Sequence, residues 1–217
     1  MSTPSASGLL SRRQALAALA AAGLAGCGTS RHPTAVGGLS AVTAGTVTNP
    51  TGTVAGKNLT GLTDALTYAF GGLTEPVGTT PAQWQHLVLL TNLGGACTRL
   101  GGGGSFGNNE ITLRFGMFGY NEVPDPAPVY PPAADLPITF TANVNLDTSD
   151  GVHRTCKPWV MQATSRGKAG TDTAATGGTV TFTRADAGGY EGSYDLIFGA
   201  DHATGAFTAP WCGTPPA

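Results

Sequence analysis

The sequence predicts an all-β fold: an antiparallel β-sandwich, with a β-barrel as the alternative closure and one short helical turn near Cys97. Three observations predict it. Glycine is abundant, at 33 of 217 residues, and charged residues make up only 11%. Long amphipathic helices draw on Glu, Lys, Leu and Arg, and few such residues follow position 30. Stretches rich in Thr, Val, Phe and Tyr recur between glycine-rich turns, and those residues suit a half-buried pleated surface. Finally, apolar residues repeat with a period of two along several segments, as a strand with one buried face requires.

Taken in order, Val54-Ala55-Gly56-Lys57-Asn58-Leu59 reads as a strand and a tight turn, and Asp64–Phe70 alternates loosely. Trp84–Leu90 (WQHLVLL) is the most hydrophobic stretch and reads as a central strand. Asn92–Leu100 holds the helical turn around Cys97. Ile111, Leu113, Phe115 and Met117 alternate with Thr112, Arg114, Gly116 and Phe118 as a half-buried strand. The cleanest alternation sets Ile138, Phe140, Ala142, Val144 and Leu146 against Thr139, Thr141, Asn143, Asn145 and Asp147, predicting one strand across the whole run. Pro124–Pro137 reads as a long connection. Thr179–Thr183 points Val180 and Phe182 one way, and Tyr190, Gly192, Tyr194, Leu196 and Phe198 share a face. Gly199–His202 reads as a turn, and Gly205–Trp211 returns with Phe207 and Trp211 on one side. Closely spaced strands with turn signals between them make a sandwich or barrel.

The N-terminus has a different character. Arg12 and Arg13 are the only charges before Arg31, and an uncharged Ala/Leu run covers residues 15–26. At about 1.5 Å per helical residue that run reaches roughly 18 Å, against a hydrocarbon core of roughly 30 Å. A basic start, a short apolar run and small residues before a cysteine describe a secretory signal, here residues 1–26. Leu24-Ala25-Gly26-Cys27 resembles the bacterial lipobox, in which small residues precede a cysteine that takes diacylglycerol and, by further acylation, palmitate. Ser11-Arg12-Arg13-Gln14-Ala15-Leu16 resembles the twin-arginine translocation motif, departing from it at Ala15, where Phe is common. The two motifs imply a lipoprotein of the cell envelope, anchored to a membrane through Cys27. Gly28 stands where Asp commonly retains lipoproteins in the inner membrane, so the analogy points to the outer membrane. Residues 27–42, polar and broken by Pro33, Gly37 and Gly38, read as a lipidated flexible tether. Residues 43–213 read as a single domain.

Charge narrows the partners. The formal charge of −2 becomes −4 once Arg12 and Arg13 are removed, and no Lys/Arg cluster appears. Nucleic acid and anionic membrane surfaces both call for a basic patch, so neither is expected as a partner beyond the lipid anchor itself. Three cysteines remain for the domain: Cys97, Cys156 and Cys212. In an oxidising compartment one disulfide is expected, with one thiol left over. All three pairings stay open. Cys156–Cys212 is preferred, since both flank β-like segments in the same half, and closing about 57 residues contributes on the order of 4 kcal/mol. No Cys-x-x-Cys spacing supports a zinc site, and no metal or cofactor is expected.

GTVAGKNLTGLTDALTY is followed by WQHLVLLTNLGGAC, ITLRFG and GGTVTFTRADAGGYEGSYDLIFGADHATGAFTAPWC. This order resembles a family of small exported, lipobox-bearing bacterial proteins. Their last third reads G-T-V-T-x-G-T-[F/Y]-D-L-x-F-G, then D-x-x-T-G-x-F-x-A-P-x-C. The resemblance covers roughly residues 45–213 and implies a fold and an address; no activity is assigned to the family, so no catalytic residue is carried across.

Several motifs invite chemistry and meet a simpler explanation. Gly103-Gly104-Ser105-Phe106-Gly107 matches the nucleophile elbow, but that device needs a strand–turn–helix beside parallel strands. Gly102-x-Gly104-x-x-Gly107 matches dinucleotide spacing without a βαβ unit. Asp147-Thr148-Ser149-Asp150-Gly151 offers carboxylates to calcium, yet lacks an acidic ligand further on and suits a hairpin turn. His153, Cys156, Asp201 and His202 could bind metal only if they converge. Trp84, Trp159, Trp211, Tyr120, Tyr130, Tyr190 and Tyr194 either fill the core or line a binding face. The leading expectation is a non-enzymatic module that binds a small ligand, glycan or envelope protein, or serves the envelope structurally. The rival is a hydrolase using Ser105 or a histidine–carboxylate site.

Overall fold

Alternation of apolar and polar residues becomes two facing sheets. The computed structural model of the chain describes residues 44–69, 83–101, 105–120, 130–165, 168 and 170–213. The signal segment 1–26, Cys27 and the tether 27–42 lie outside the described residues, as do Gly102–Gly104 and the first part of the Pro124–Pro137 connection. The strands are β1 (Thr46–Thr48), β2 (Thr53–Val54), β3 (Lys57–Asn58), β4 (Asp64–Ala69), β5 (Gln83–Thr91) and β6 (Ile111–Tyr120). They continue with β7 (Ile138–Thr141), β8 (Asn145–Asp147), β9 (His153–Gln162), β10 (Asp172–Ala174), β11 (Gly177–Asp186), β12 (Gly189–Phe198) and β13 (Asp201–Pro210). A short helix, α1 (Ala96–Gly101), follows β5 where the helical turn was expected.

Five strands form one antiparallel sheet in the order β1-β13-β12-β11-β7. The other sheet runs β10-β9-β6-β5-β4, with β8 added beside β9. β2 and β3 form a separate hairpin. The sheets face each other as a sandwich and, among the described residues, do not close into a barrel. Val180, Phe182, Tyr194, Leu196 and Phe207 of the first sheet share one core with Val88, Leu90, Leu113, Phe115 and Val160 of the second. Phe115 bridges the layers, 5.3 Å from the Phe207 ring and 5.7 Å from that of Tyr194. Fully burying a side chain of this size contributes about 2–3 kcal/mol. The turn between β12 and β13 is tighter than the sequence indicated: it occupies Gly199 and Ala200, while Asp201 and His202 already belong to β13.

The run Ile138–Asp147 is not one strand. Ile138–Thr141 pairs with β11 in the first sheet, whereas Asn145–Asp147 pairs with β9 in the second. The switch takes three residues, Ala142 to Val144. The Ala142 amide donates to Gly178, and the Asn143 amide to Cys156. Asn143 adopts a left-handed conformation (φ 65°), which asparagine tolerates better than most residues, and its Nδ2 donates to the Ala175 carbonyl at 2.8 Å. Val144, expected inside, is 52% exposed at this corner. The chain crosses between the sheets again beside it: the Ala175 amide donates to Pro158 of β9, and the Thr176 amide to Ile197 of β12.

The opposite side is sewn by β4 and the end of β13. The Thr67 hydroxyl donates to the Ala209 carbonyl (2.8 Å), and the Cys212 amide donates to the Thr67 carbonyl (2.7 Å). Gly45, just before β1, enters the same seam. A Cβ there would stand 1.9 Å from the Ala65 carbonyl oxygen and 2.6 Å from that of Thr208, so only glycine lets the backbones meet. The disulfide then joins Cys212 to Cys97 in α1, with their Cα atoms 5.3 Å apart.

This corrects the preferred Cys156–Cys212 pairing. Cys156 points from β9 into the core between the sheets and is fully buried as a free thiol. Cys212 has passed to the other side of the second sheet, where it packs with Leu66, Leu89 and Ala96 in a separate cluster. Proximity in sequence could not show that a sheet lies between them. The bond spans a sequence separation of 115 residues, for which chain entropy gives about 5 kcal/mol. Cys212→Ala is therefore expected to lower the unfolding free energy by about 2–5 kcal/mol in a denaturant titration. Non-reduced Cys27→Ser protein should titrate no fast-reacting thiol when native and one when denatured; recovery of a Cys156–Cys212 peptide from a non-reducing digest would refute the pairing.

Candidate functional site

The outer face of the second sheet is unusual for how its side chains are distributed. Residues directly opposite one another on neighbouring strands share a face, so the ladder can be read in rows. One row runs Leu66–Leu89–Arg114–Trp159, the next Tyr68–Leu87–Gly116–Lys157, and Phe118 faces Thr155 in the row beyond. The Leu66–Leu89 end is dry, covered by α1 and the disulfide. Toward β9 the face opens: Arg114, Phe118 and Trp159 are half-buried and Lys157 is exposed.

Gly116 shapes this open part. A Cβ on Gly116 would fall 2.9 Å from Phe118 Cε2 and 2.9 Å from Trp159 Cζ3, so the missing side chain is what lets both rings lean over the strand. Lys157 Nζ stands 5.0 Å from the Phe118 ring centre, in reach of a cation–π interaction. The guanidinium carbon of Arg114 lies 4.7 Å from the centre of the Phe106 ring and 5.9 Å from that of Trp159.

Phe106 owes its position to a buried carboxylate. Glu110 accepts bonds from the Thr91 hydroxyl (2.6 Å), the Gly107 amide (2.6 Å) and both terminal nitrogens of Arg99 (2.9 Å each). Arg99 sits in the last turn of α1 and also donates to the Leu93 carbonyl (3.1 Å). Burial pushes the Glu110 carboxyl up, but these donors outweigh it and hold the carboxyl below its ordinary value. Residues 105–110 are thereby fastened to the sheet, with Phe106 laid against Arg114.

Arg114 differs from the other described arginines. Arg99 pairs with Glu110, Arg154 with Asp150 and Arg184 with Glu191, each at 2.7–2.9 Å. Arg114 has no carboxylate partner among the described residues. Its Nε donates to the Thr112 hydroxyl (3.0 Å), and one Nη lies 3.1 Å from the Met161 sulfur. Burial pulls its pKa below the usual arginine value, against the opposing fields of Tyr68, Asp172 and Glu110. The remaining Nη makes no bond to a described residue and is not sealed from solvent.

A second polar group lies inside the sandwich. His86 Nδ1 and the Tyr190 hydroxyl are 2.8 Å apart, with Trp211 edge-on to His86 at 4.9 Å and Tyr130 at 5.9 Å. Nearby, Arg154 is fully buried and binds both Asp150 oxygens at 2.7 Å. Burial lowers His86 to about 4 and pushes the Cys156 thiol and the Tyr190 phenol far up. Groups that resist ionisation this strongly are poor nucleophiles and poor proton carriers near neutral pH, and their contacts tie the sandwich together.

The other candidate residues separate rather than converge. Ser105 lies between α1 and β6, an order opposite to the strand–turn–helix of a nucleophile elbow, and no described histidine or carboxylate bonds to it. His153 bonds Asp147, His202 bonds Asp195 on the other sheet, and Cys156 is inside the core. Asp150 of the suggested calcium turn is occupied by Arg154, Thr148 and the Val152 amide. No cluster of three metal-ligating side chains occurs among the described residues. Of the aromatics, Tyr190, Tyr194 and Trp211 belong to the core, Tyr130 packs against it and Trp159 faces outward. The side chains of Trp84 and Tyr120 lie outside the described residues. Arg114, Phe118 and Phe106 were not foreseen; two glycines within a strand, Gly116 and Gly119, were the available signal, because a strand glycine often marks a close approach.

The interior group sets an acid limit. Unfolded imidazole takes up a proton near pH 6.5 and folded His86 only near 4, so its stability contribution is complete above about 6.5 and is lost as pH falls to 4. That loss is on the order of 3 kcal/mol. Asp150, pulled down to about 2 because the bonds from Arg154, Thr148 and Val152 outweigh its burial, stabilises above about 4 and loses that contribution below. Urea unfolding across pH 8 to 3 should show constant stability down to about 6.5, then a steady decline; equal stability at pH 7 and pH 4 would contradict the burial of a neutral His86. No protein-family model, curated protein or solved structure matches the chain, so the reading of the site rests on its geometry.

Proposed function

We propose that the chain is a lipoprotein of the bacterial cell envelope whose sandwich domain is a non-enzymatic binding module for a glycan. Its ligand lies on the outer face of the second sheet, across Trp159 and Phe118. The observation that carries this reading is the convergence of those two half-buried rings over Gly116. Half-buried aromatic rings beside polar groups suit the apolar face of a sugar ring, which stacks while its hydroxyls remain hydrated. Rings mounted on a strand are held by the ladder, so little side-chain freedom is lost on binding.

The address rests on the sequence. Leu24-Ala25-Gly26-Cys27 supports lipidation, Arg12-Arg13 supports twin-arginine export, and residues 27–42 serve as the tether. The resemblance to small lipobox-bearing proteins agrees with this. No helix among the described residues is long and apolar enough to cross a membrane. The outer membrane is the proposed site, by the analogy at Gly28.

Two measurements test the reading. Radiolabelled palmitate should enter the wild-type protein and place it in the membrane fraction, while Cys27→Ser should be unlabelled and soluble; equal labelling of the two would defeat the anchor. In a glycan array probed with the soluble Cys27→Ser protein, Trp159→Ala should reduce binding at least tenfold with an unchanged unfolding midpoint. Unaltered binding by Trp159→Ala would remove the site from this face.

A further inference from the structure

We infer that the glycan bound on this face is acidic, a uronic-acid polymer whose carboxylate is taken by Arg114; the inference rests on the binding face proposed above. Charge complementarity carries it. Arg99, Arg154 and Arg184 are each matched by a carboxylate of this chain, but Arg114 is half-buried in the middle of the face without one. Its guanidinium is held in place by Thr112 Oγ1, the Met161 sulfur and the Phe106 ring, none of which neutralises it. One terminal nitrogen makes no bond to a described residue and is not sealed from solvent.

Planar carboxylates fit a guanidinium edge better than any neutral sugar hydroxyl does, and a charge-assisted bond is about twice as strong as a neutral one. The 5.9 Å between the guanidinium carbon and the Trp159 ring centre allows a sugar stacked on the indole to present a carboxylate from its rim to Arg114. Lys157, exposed and 5.0 Å from the Phe118 ring, lies one row further along the same strand and supplies a second cation for the next residue of a polymer. The whole chain is negative at −2, so selection of an anion has to come from this local pair and not from bulk charge.

The test uses soluble Cys27→Ser protein and three probes: polygalacturonate oligosaccharides, their fully methyl-esterified counterparts, and vesicles of phosphatidylglycerol. The wild type is expected to bind the acid at least tenfold more tightly than the ester, with affinity falling as salt rises. Arg114→Gln should remove that preference while keeping weak binding to both, Arg114→Lys should restore part of it, and Trp159→Ala should weaken both ligands together. Equal binding of acid and ester by the wild type would overturn the inference and leave the glycan-binding reading standing. Binding to neither oligosaccharide, or to the vesicles alone, would overturn both. The wild-type comparison decides the matter even if Arg114→Gln fails to fold.

Discussion

Thr67 is where the two sheets are joined by hydrogen bonds on the side away from the sheet-switching corner. Packing between sheets is non-directional and does not by itself fix where one layer ends on the other. Here the Thr67 hydroxyl holds Ala209 and its carbonyl holds Cys212, so the last strand is fastened to the edge of the second sheet. Left bare, β4 would present a row of unpaired backbone groups to other chains. Covered by β13 on one side and α1 on the other, it has four consecutive buried residues, Asp64 to Thr67. That double burial is why the alternation in DALTYAF is loose: neither face of this strand is a solvent face.

From the seam, position is passed to the outer face of the second sheet through a short series of contacts. The Cys97–Cys212 bond holds α1 against β4, and Asp64 reinforces it by accepting the Ala96 amide at 2.9 Å. Arg99 leaves the same helix to meet Glu110, whose carboxylate also binds Thr91 and Gly107. A buried carboxylate is tolerated only when its oxygens are filled, and here both are. The result is that Phe106 is pinned over Arg114 by a network that begins at the C-terminal end of the domain. The site is built on strands and on a loop tied by four charge-assisted bonds, which suits a rigid surface better than a mobile lid.

Much of the fold was legible because one physical signal was strong. β6 and β12 alternate cleanly, and their inward residues Leu113, Phe115, Tyr194 and Leu196 are those the pattern selects. The same signal failed at Ile138–Asp147, because a period of two is preserved when a strand leaves one sheet and enters another; only the left-handed Asn143 marks the break. The disulfide failed for a related reason. Pairing depends on which side of a sheet each cysteine reaches, and in β9 the inward set Arg154, Cys156, Val160 follows from a register no single segment contains. Trp159 and Trp211 look equivalent in sequence, yet one faces out and the other bonds Asp186 from within the core. The candidate face escaped notice because its ingredients, an arginine, a glycine and rings from three segments, are unremarkable until the ladder places them in adjacent rows.

A chain with only 11% charged residues has few ions to place, and their placement is informative for that reason. Arg154 could not remain buried without Asp150, since removing a buried ion from water costs several kcal/mol unless a partner and further bonds offset it. Arg99 and Glu110 answer the same requirement. Arg114 does not follow the rule among the described residues. The Phe106 and Trp159 rings offset part of its desolvation, at about 0.5–2 kcal/mol for a cation over an aromatic face, and the fields of Asp172 and Glu110 offset a further part without pairing with it. A hydrophobic residue at this row, between Leu89 and Trp159, would remove that cost and extend the dry cluster under the helix. In the proposed complex, an anion at Arg114 would supply the carboxylate that Arg99, Arg154 and Arg184 find within the chain.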